Sequence, residues 1–405
     1  MKVSFPTDPI SIQKRIQSIE PIKYGSSRNY IDGAVSLLSP YISRGYISTK
    51  QIFEYVSSLR YKPYQVSKLI QELAWRDYFQ LVWKNKGEEL FSDLKQPQPN
   101  TKHYKFPKAF LQNSINTGIP GIDRELIDFY NTGYLHNHVR MYIASIICNI
   151  GGAYWKKPSQ WMYYHLLDAD IASNTCSWQW ISGAFSSKKY LANQENINRY
   201  LKTNDNHTYL NLPYEELLKI NSLPIELETL VDWDLNEAYI STINWFDSKL
   251  LNSNFETNFV SYKQSQTKLV IDERLPICLY DIYNLDPNWK QNTEANRIFM
   301  MRPNFFEKFP SSPNTLDFTL SLAKNIPNIQ FFFGEWEHLL QQLKEYRPQI
   351  FWKEHPSNKE YIGKEEDRDW IFPEITGYFP SFFAYWKKCE KLWIRGEENK
   401  EVTLF

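Results

Sequence analysis

Residues 134–180 read YLHNHVRMYIASIICNIGGAYWKKPSQWMYYHLLDADIASNTCSWQW, and two pieces of this stretch carry chemistry as well as packing. In the first, Asn137, Arg140 and Met141 stand at i, i+3 and i+4, the spacing that places side chains on one helical face. In the second, Asp170, Asn174 and Trp178 stand at i, i+4 and i+8, with Asp168 just before them and Trp180 just after. Carboxylates, an amide and indoles on one stripe can line a polar pocket with aromatic walls. Packing accounts for part of the same pattern. Ile143, Ile146, Ile147 and Ile150 recur at helical spacing, so the first helix also faces a core. An Asp168–Arg140 ion pair suits a pocket and a core equally well.

Taken with its flanks, the stretch resembles the flavin-binding domain of the DNA photolyase and cryptochrome family. The matching tokens are LLSPYISRGYIS (37–48), QELAWRDYF (71–79), TGIPGID (117–123), TGYLHNHVRM (132–141), the lone Trp155 and LLDADIASNTCSWQW (166–180), in that order. The resemblance covers roughly residues 20–200 and implies an all-helical domain that holds FAD in a folded shape, with a DNA-facing hole above the flavin. It implies that Tyr24, Ser36 and Ser39 hold the pyrophosphate and that Arg76 lies on the flavin side. Asp168 pairs with Arg140, Asp170 holds the ribose or isoalloxazine edge, and Asn174 faces the flavin N5, where plant-type cryptochromes carry Asp. Glu72, Trp75, Asn137, Met141 and Trp180 are the implied contacts to a flipped pyrimidine dimer. Trp178 and Trp155 match the inner and middle positions of an electron wire. The WRDYF wording is similar to the DASH cryptochromes, whereas the lesion-facing residues match the cyclobutane-dimer photolyases. The (6-4) enzymes carry His in this region; His136 and His138 flank Asn137 here.

The chain departs from the family in three places. Val35 stands where the family has Thr before the first Ser. The outer wire position, near Lys102–Tyr104, has no Trp, which leaves Tyr104 or Trp161 as substitutes. After Trp180 a flavin-hugging loop is replaced by ISGAFSSKKYLANQENINRY (181–200). Apart from the resemblance, Ser36 and Ser39 read as helix caps, Glu72 and Arg76 as a surface pair of little consequence, and each tryptophan as core.

Composition is consistent with a protein that stacks on flat ligands: 14 Trp, 27 Tyr and 25 Phe in 405 residues, enough chain for two domains. The net charge is zero but split, with 25 Lys+Arg against 16 Asp+Glu in residues 1–205 and 21 against 30 in the rest. A basic first half points to a polyanion partner, DNA in the family reading. Lys95, Lys102, Lys105 and Lys108 form a lysine-bearing loop that either neutralises phosphates or is simply solvated. The four cysteines are too far apart for a zinc site or a disulfide framework. The first residues lack an apolar signal region, and the stretch Met141–Ile150 is too short to span a bilayer. These features lead us to expect a soluble, cytoplasmic monomer without a metal.

The second half changes period. Residues 206–262 read as a connector of short helices with Asn/Ser-rich breaks. Within 263–405, KLVID (268–272), ICLYDIY (277–283), NRIFMMR (296–302), NIQFFFG (328–334) and QIFWKEH (349–355) read as strands, with helices over 314–325 and 335–346. That alternation predicts a small parallel α/β domain. Residues 309–343 faintly resemble the photolyase antenna domain, which normally precedes the flavin domain and here follows it; a second, antenna chromophore is allowed. The expected architecture is a helical FAD-binding domain (1–205), a connector (206–262) and an α/β domain (263–405). The expected activity is light-driven repair of cyclobutane pyrimidine dimers in single- or double-stranded DNA, a carbon–carbon lyase reaction. The alternative is a cryptochrome-like photoreceptor without repair.

Overall fold

Proline sets the start of several helices in the first half. Pro9–Gln17, Pro21–Ser27, Pro63–Lys86 and Pro120–Thr132 all carry Pro in their first turn, where its fixed φ suits the helix and its missing N–H costs nothing. The 24-residue helix Pro63–Lys86 is the axis of this half and buries Val66, Leu69, Ile70, Leu73, Tyr78 and Leu81 along one side. Asn137–Ser145 runs into a π-helical turn, Ile146–Ile150. Ile171–Ser182 is capped by Asp170 and ends at Gly183, whose φ of 87° closes the helix as a left-handed cap. It packs on both Pro63–Lys86 and Asn137–Ser145. The computed structural model describes residues 3–217, 219–220, 222–251, 259–261, 268–344 and 346–402.

Two short strands, β1 (Phe106–Pro107) and β2 (Leu230–Val231), pair antiparallel and tie the lysine loop to the connector region. The second half is a six-stranded sheet: β3 (Phe259–Ser261), β4 (Ile277–Tyr280), β5 (Asn296–Met301), β6 (Ile329–Phe333), β7 (Ile350–Lys353) and β8 (Lys364–Glu366). All its pairings are parallel, in the order β3-β6-β5-β4-β7-β8. The continuous apolar runs ICLY, FMM and FFF reflect burial on both faces, as parallel sheets require. Helices Pro313–Ala323 and Trp336–Leu343 join β5 to β6 and β6 to β7, as the sequence predicts.

KLVID (268–272) is not a strand. The side-chain amide of Gln330 takes the place of a backbone partner, accepting from Val270 N–H at 2.7 Å and donating to Val270 C=O at 2.8 Å. β3 begins inside the 206–262 region, and β8 is an added edge.

The chain leaves β4 in one direction and returns past it to β7, so the loops after these strands diverge and open a crevice at their carboxyl ends. The helical half seats there. Leu285 N–H donates to Arg44 C=O, and Ser312 N–H donates to Tyr164 C=O. Gly45 has φ +60°, and a Cβ on it would lie 2.0 Å from Tyr283 O, so only glycine admits this approach. The helix Phe382–Val402 then crosses back onto Pro63–Lys86. Phe382 stacks on Trp75 with centroids 3.7 Å apart and planes 9° from parallel. Tyr78 O–H donates to Phe379 C=O, and Asp77 accepts from Ile371 N–H at 2.9 Å.

Candidate functional site

The centre of the site is an ion pair between the helix Asn137–Ser145 and the turn before Ile171–Ser182. Arg140 Nη2 donates to Asp168 Oδ2 at 2.9 Å, and its Nε is held by Leu135 C=O. The Asp168 side chain is 3% exposed and that of Arg140 23%. Burial alone would push the Asp168 carboxyl up; the Arg140 charge and hydrogen bond, helped by the Ser39 hydroxyl, hold it below the usual carboxylate range. The buried Oδ1 of Asp168 has no hydrogen-bond partner. Ser43 donates to Asp168 C=O at 2.9 Å and accepts from Arg76 Nη2, which brings Arg76 to the same turn. Arg44, fully buried, donates from Nε to Leu167 C=O and leaves Nη2 without a partner.

Asp170 has two duties. Oδ1 caps the helix by accepting from Ser173 N–H, and Oδ2 accepts from Gln80 Nε2 at 2.6 Å. Gln80 in turn accepts from Arg368, which pairs with Glu354 at 2.9 Å. Arg76, Gln80 and Asp170 thus line a cleft closed on the other side by Lys353 at the end of β7 and by Asn284 and Arg368 from the loops after β4 and β8. Asn174 is not with them. Its amide donates to Ser159 C=O at 2.9 Å, and it lines a separate, smaller pocket with Trp155 and Phe309.

Tyr24 is half-buried; burial raises its phenol, and Glu72 and Arg28 are the neighbouring charges. Ser36 and Ser39 flank Leu37, whose φ of 53° is a strained conformation for a non-glycine residue, worth on the order of 1–3 kcal/mol. The helix that follows, Ser39–Ser43, has no side-chain cap bond, so neither serine is a helix cap.

Among the lesion-facing candidates, Asn137 is exposed and lies 3.9 Å from the Met141 sulfur. Glu72 is half-buried and pairs with Arg28 at 3.4 Å; burial raises its carboxyl against the pull of that arginine. Trp180 is 40% exposed and stacks loosely on Tyr190. One face of Trp75 is covered by Phe382. His136 is buried and bonded to Arg28 C=O, and burial lowers its imidazole, and that of His138, to about 4.

Trp155 and Trp178 are both buried, but among the described residues no aromatic contact joins them. Trp161 is a core residue, packed by Phe106 and Phe129 and bonded to the Tyr130 hydroxyl. Tyr104 is exposed. The lysine loop folds back on residues 183–189: Lys95 N–H donates to Ala184 C=O, and Gln96 donates to Gly183 and Ser186 C=O. Lys95, Lys102, Lys188 and Lys189 therefore share one side of the molecule. Burial, with the Lys102 charge adding to it, holds Lys189 below its ordinary value.

Gln80 and Arg368 carry no spacing signal, because they lie 288 residues apart, and Asn284, whose buried side-chain amide has no hydrogen-bond partner, reaches the cleft only through the fold. Ser43 and Arg44 sit inside the LSPYISRGYIS token, yet only the fold shows that they grip the 167–168 backbone.

The donor set suits FAD. The free Asp168 oxygen can accept from a ring N–H, Arg76 offers a cation to phosphate, and Asp170 stands beside it. Residues 69–221 match the family model described as the FAD binding domain of DNA photolyase. Cryptochrome DASH from Synechocystis sp. is 32% identical over 168 residues, 40% of this chain and 34% of that protein. Deoxyribodipyrimidine photo-lyase from Agrobacterium fabrum is 29% identical over 172 residues, 40% of this chain and 36% of that protein. The solved Synechocystis sp. PCC6803 cryptochrome overlays 49% of this chain and 44% of its own, with a TM-score of 0.43 and 24% identity. The chain spans about a third of the length of the curated relatives it matches. Among the described residues no helix is long and apolar enough to cross a membrane. Over residues 69–221 the helical half is thus similar to the FAD binding domain of DNA photolyase, and the relatives it matches are DASH cryptochromes and photo-lyases.

Proposed function

We propose that the protein is a light-dependent DNA repair enzyme that splits cyclobutane pyrimidine dimers. The observation that carries this reading is the Arg140–Asp168 pair, buried on the carboxylate side with one oxygen left for a ligand. When bound, reduced FAD supplies the photoexcited electron that opens the cyclobutane ring and receives it back. The chain's part is positioning and electrostatics. Asp168 accepts a ring N–H through Oδ1, while Arg140 keeps that carboxylate ionised. Arg76, Ser36, Ser39 and Tyr24 hold the phosphates and Asp170 a ribose or ring edge, while the Asn174 amide is engaged by Ser159 C=O in the neighbouring pocket. Glu72, Asn137, Met141 and Trp180 meet the flipped dimer, with Trp75 behind them. A dimer has weakened stacking, so extruding it costs less than extruding a normal base. The lysine side neutralises DNA phosphates, and the parallel sheet is an antenna-like domain placed after the flavin domain.

The deciding experiment is repair of a dimer-containing oligonucleotide by chemically reduced, flavin-loaded protein under blue or near-UV light. Restoration of intact thymines is expected. Flavin binding without repair overturns the enzyme reading in favour of a photoreceptor. One observation favours that second reading: Phe382 covers a face of Trp75.

A further inference from the structure

The helix Pro63–Lys86 carries Arg76, Gln80 and Lys84 at i, i+4 and i+8, so the three share one face. Each ends on a different partner. Arg76 reaches Ser43, Gln80 reaches Asp170, and Lys84 reaches Glu354 at 3.5 Å.

An amide can be turned either way round, and its hydrogen-bond partners decide which end faces Asp170. Here Arg368 decides. A guanidinium carries donors alone, so Arg368 Nη1 must meet the oxygen of Gln80. The amide NH2 is thereby turned to Asp170, where it donates to Oδ2 at 2.6 Å. Reversed, the amide would set its oxygen against the carboxylate and its N–H groups against the guanidinium. The other carboxylate oxygen, Oδ1, is taken by Ser173 N–H at 2.7 Å. Both oxygens of Asp170 are therefore fixed, one by its own helix and one from the C-terminal half.

Arg368 is itself held on two sides. Nε donates to Glu354 Oε2 at 2.9 Å, and the guanidinium carbon lies 4.5 Å from the centre of the Trp370 ring. Glu354 is buried, and its N–H donates to Glu366 C=O at 2.7 Å, which locks the end of β7 to the end of β8. Just beyond Arg368, Lys353 holds Asp369 at 2.8 Å and Ile371 N–H donates to Asp77. Hydrogen bonds thus run without a break from the sheet edge into the cleft, through Glu354, Arg368, Gln80 and Asp170.

Resting on the flavin reading above, we infer that Arg368, acting through Gln80, is a positioning residue for Asp170, so that the C-terminal half sets the shape of the cofactor site. Asp170 keeps lone pairs for a hydroxyl or ring edge of FAD, and Gln80 fixes where they point. Without Arg368 the amide is free to turn, and the carboxylate is steered by its helix cap alone. A bridge that only glued the halves together would contribute to stability and leave the affinity for FAD untouched.

Equilibrium dialysis of FAD against the whole chain and its variants, with urea unfolding alongside, tests this. Arg368→Met and Gln80→Leu should each weaken FAD binding about tenfold, the worth of one well-placed hydrogen bond. The double variant should bind no more weakly than either single one, because both changes act on the same carboxylate. Asp170→Ser keeps a helix cap but not the reach to Gln80, and adding Arg368→Met to it should cost no further affinity. An unchanged affinity in Arg368→Met, or a full further loss on top of Asp170→Ser, overturns the inference. If Arg368→Met fails to fold, Gln80→Leu is read against the same two criteria. Parent protein that binds no FAD sinks the preceding reading instead. The positioning is then read without flavin, from side-chain amide NMR signals of protein labelled at glutamine. The Gln80 NH2 should exchange slowly with solvent in the parent and fast in Arg368→Met, and equal exchange in both overturns the inference.

Discussion

The Arg140–Asp168 pair is asymmetric, and that asymmetry can be measured. Asp168 is almost fully enclosed and Arg140 is not. Removing the arginine, as in Arg140→Met, strands a carboxylate left with the Ser39 hydroxyl and the more distant Arg76 charge, and with an oxygen already unpartnered. Breaking such a pair from this side should cost about 3–5 kcal/mol. Asp168→Asn leaves the guanidinium without its counter-charge, but that group still bonds Leu135 C=O and reaches water, so a loss of about 1–3 kcal/mol is expected. The two losses should also differ in their pH dependence. In the parent, the depressed Asp168 carboxyl contributes stability above its ordinary 3.8, and this is lost as the pH falls. In Arg140→Met, burial, the largest influence, is opposed only by the Ser39 hydroxyl and the Arg76 charge and raises the carboxyl relative to the parent, so the variant is penalised at neutral pH and relieved in acid. The gap between parent and Arg140→Met should therefore narrow as the pH falls through the carboxylate range. Urea unfolding of both variants at several pH values reads this directly, with flavin content of the purified proteins as a second measure. Equal losses, or a larger loss in Asp168→Asn, would refute the assignment of Asp168 as the buried, dependent partner.

Three further outcomes follow from the fold. Phe382→Ala should destabilise the whole protein by about 3–5 kcal/mol, because a buried ring stacked on Trp75 is deleted; chemical denaturation followed by tryptophan fluorescence checks this. His136 is buried and His138 and His165 are half-buried, and desolvation lowers them to about 4, 4 and 3 against an ordinary 6.5, so the unfolded chain binds protons that the folded one refuses. Thermal stability should drop as the pH falls from about 6.5 toward 4; Asp77, pushed up by burial to about 6, opposes this in the same window, so Asp77→Asn should steepen the drop. Binding to dimer-containing DNA should weaken with salt, and Lys188→Ala combined with Lys102→Ala should reduce the salt slope by about two, since each phosphate left without its lysine lowers that slope by roughly one.

The helical half was legible because its tokens are local: Asp170 and Asn174 do fall on one helix, and Asp168 does pair with Arg140. The parallel sheet was legible from apolar runs alternating with helices. What could not be read are bonds between distant parts of the chain. Gln330 replaces a strand partner for Val270, so a β-branched apolar run at 268–272 makes no ladder. Asn174 has the right spacing to join Asp170, but the carbonyl of Ser159 claims its amide. Asp93 looks like any loop acid until Trp155 and Tyr154 are seen to point at it.

The return of the helix Phe382–Val402 onto Pro63–Lys86 has a consequence for how the protein is made. Trp75, Asp77 and Tyr78 lie early in the chain, yet their partners are Phe382, Ile371 and Phe379. Emerging from a ribosome at about 5–20 residues per second, the helical half would stand for on the order of half a minute with an aromatic seam uncovered. During that interval the nascent chain presents Trp75, Tyr78 and the buried Asp77 to solvent and to chaperones. A fragment cut near residue 205 would keep that seam open permanently. The two halves are thus a single unit of synthesis and quality control, even where one family pattern covers only the first of them.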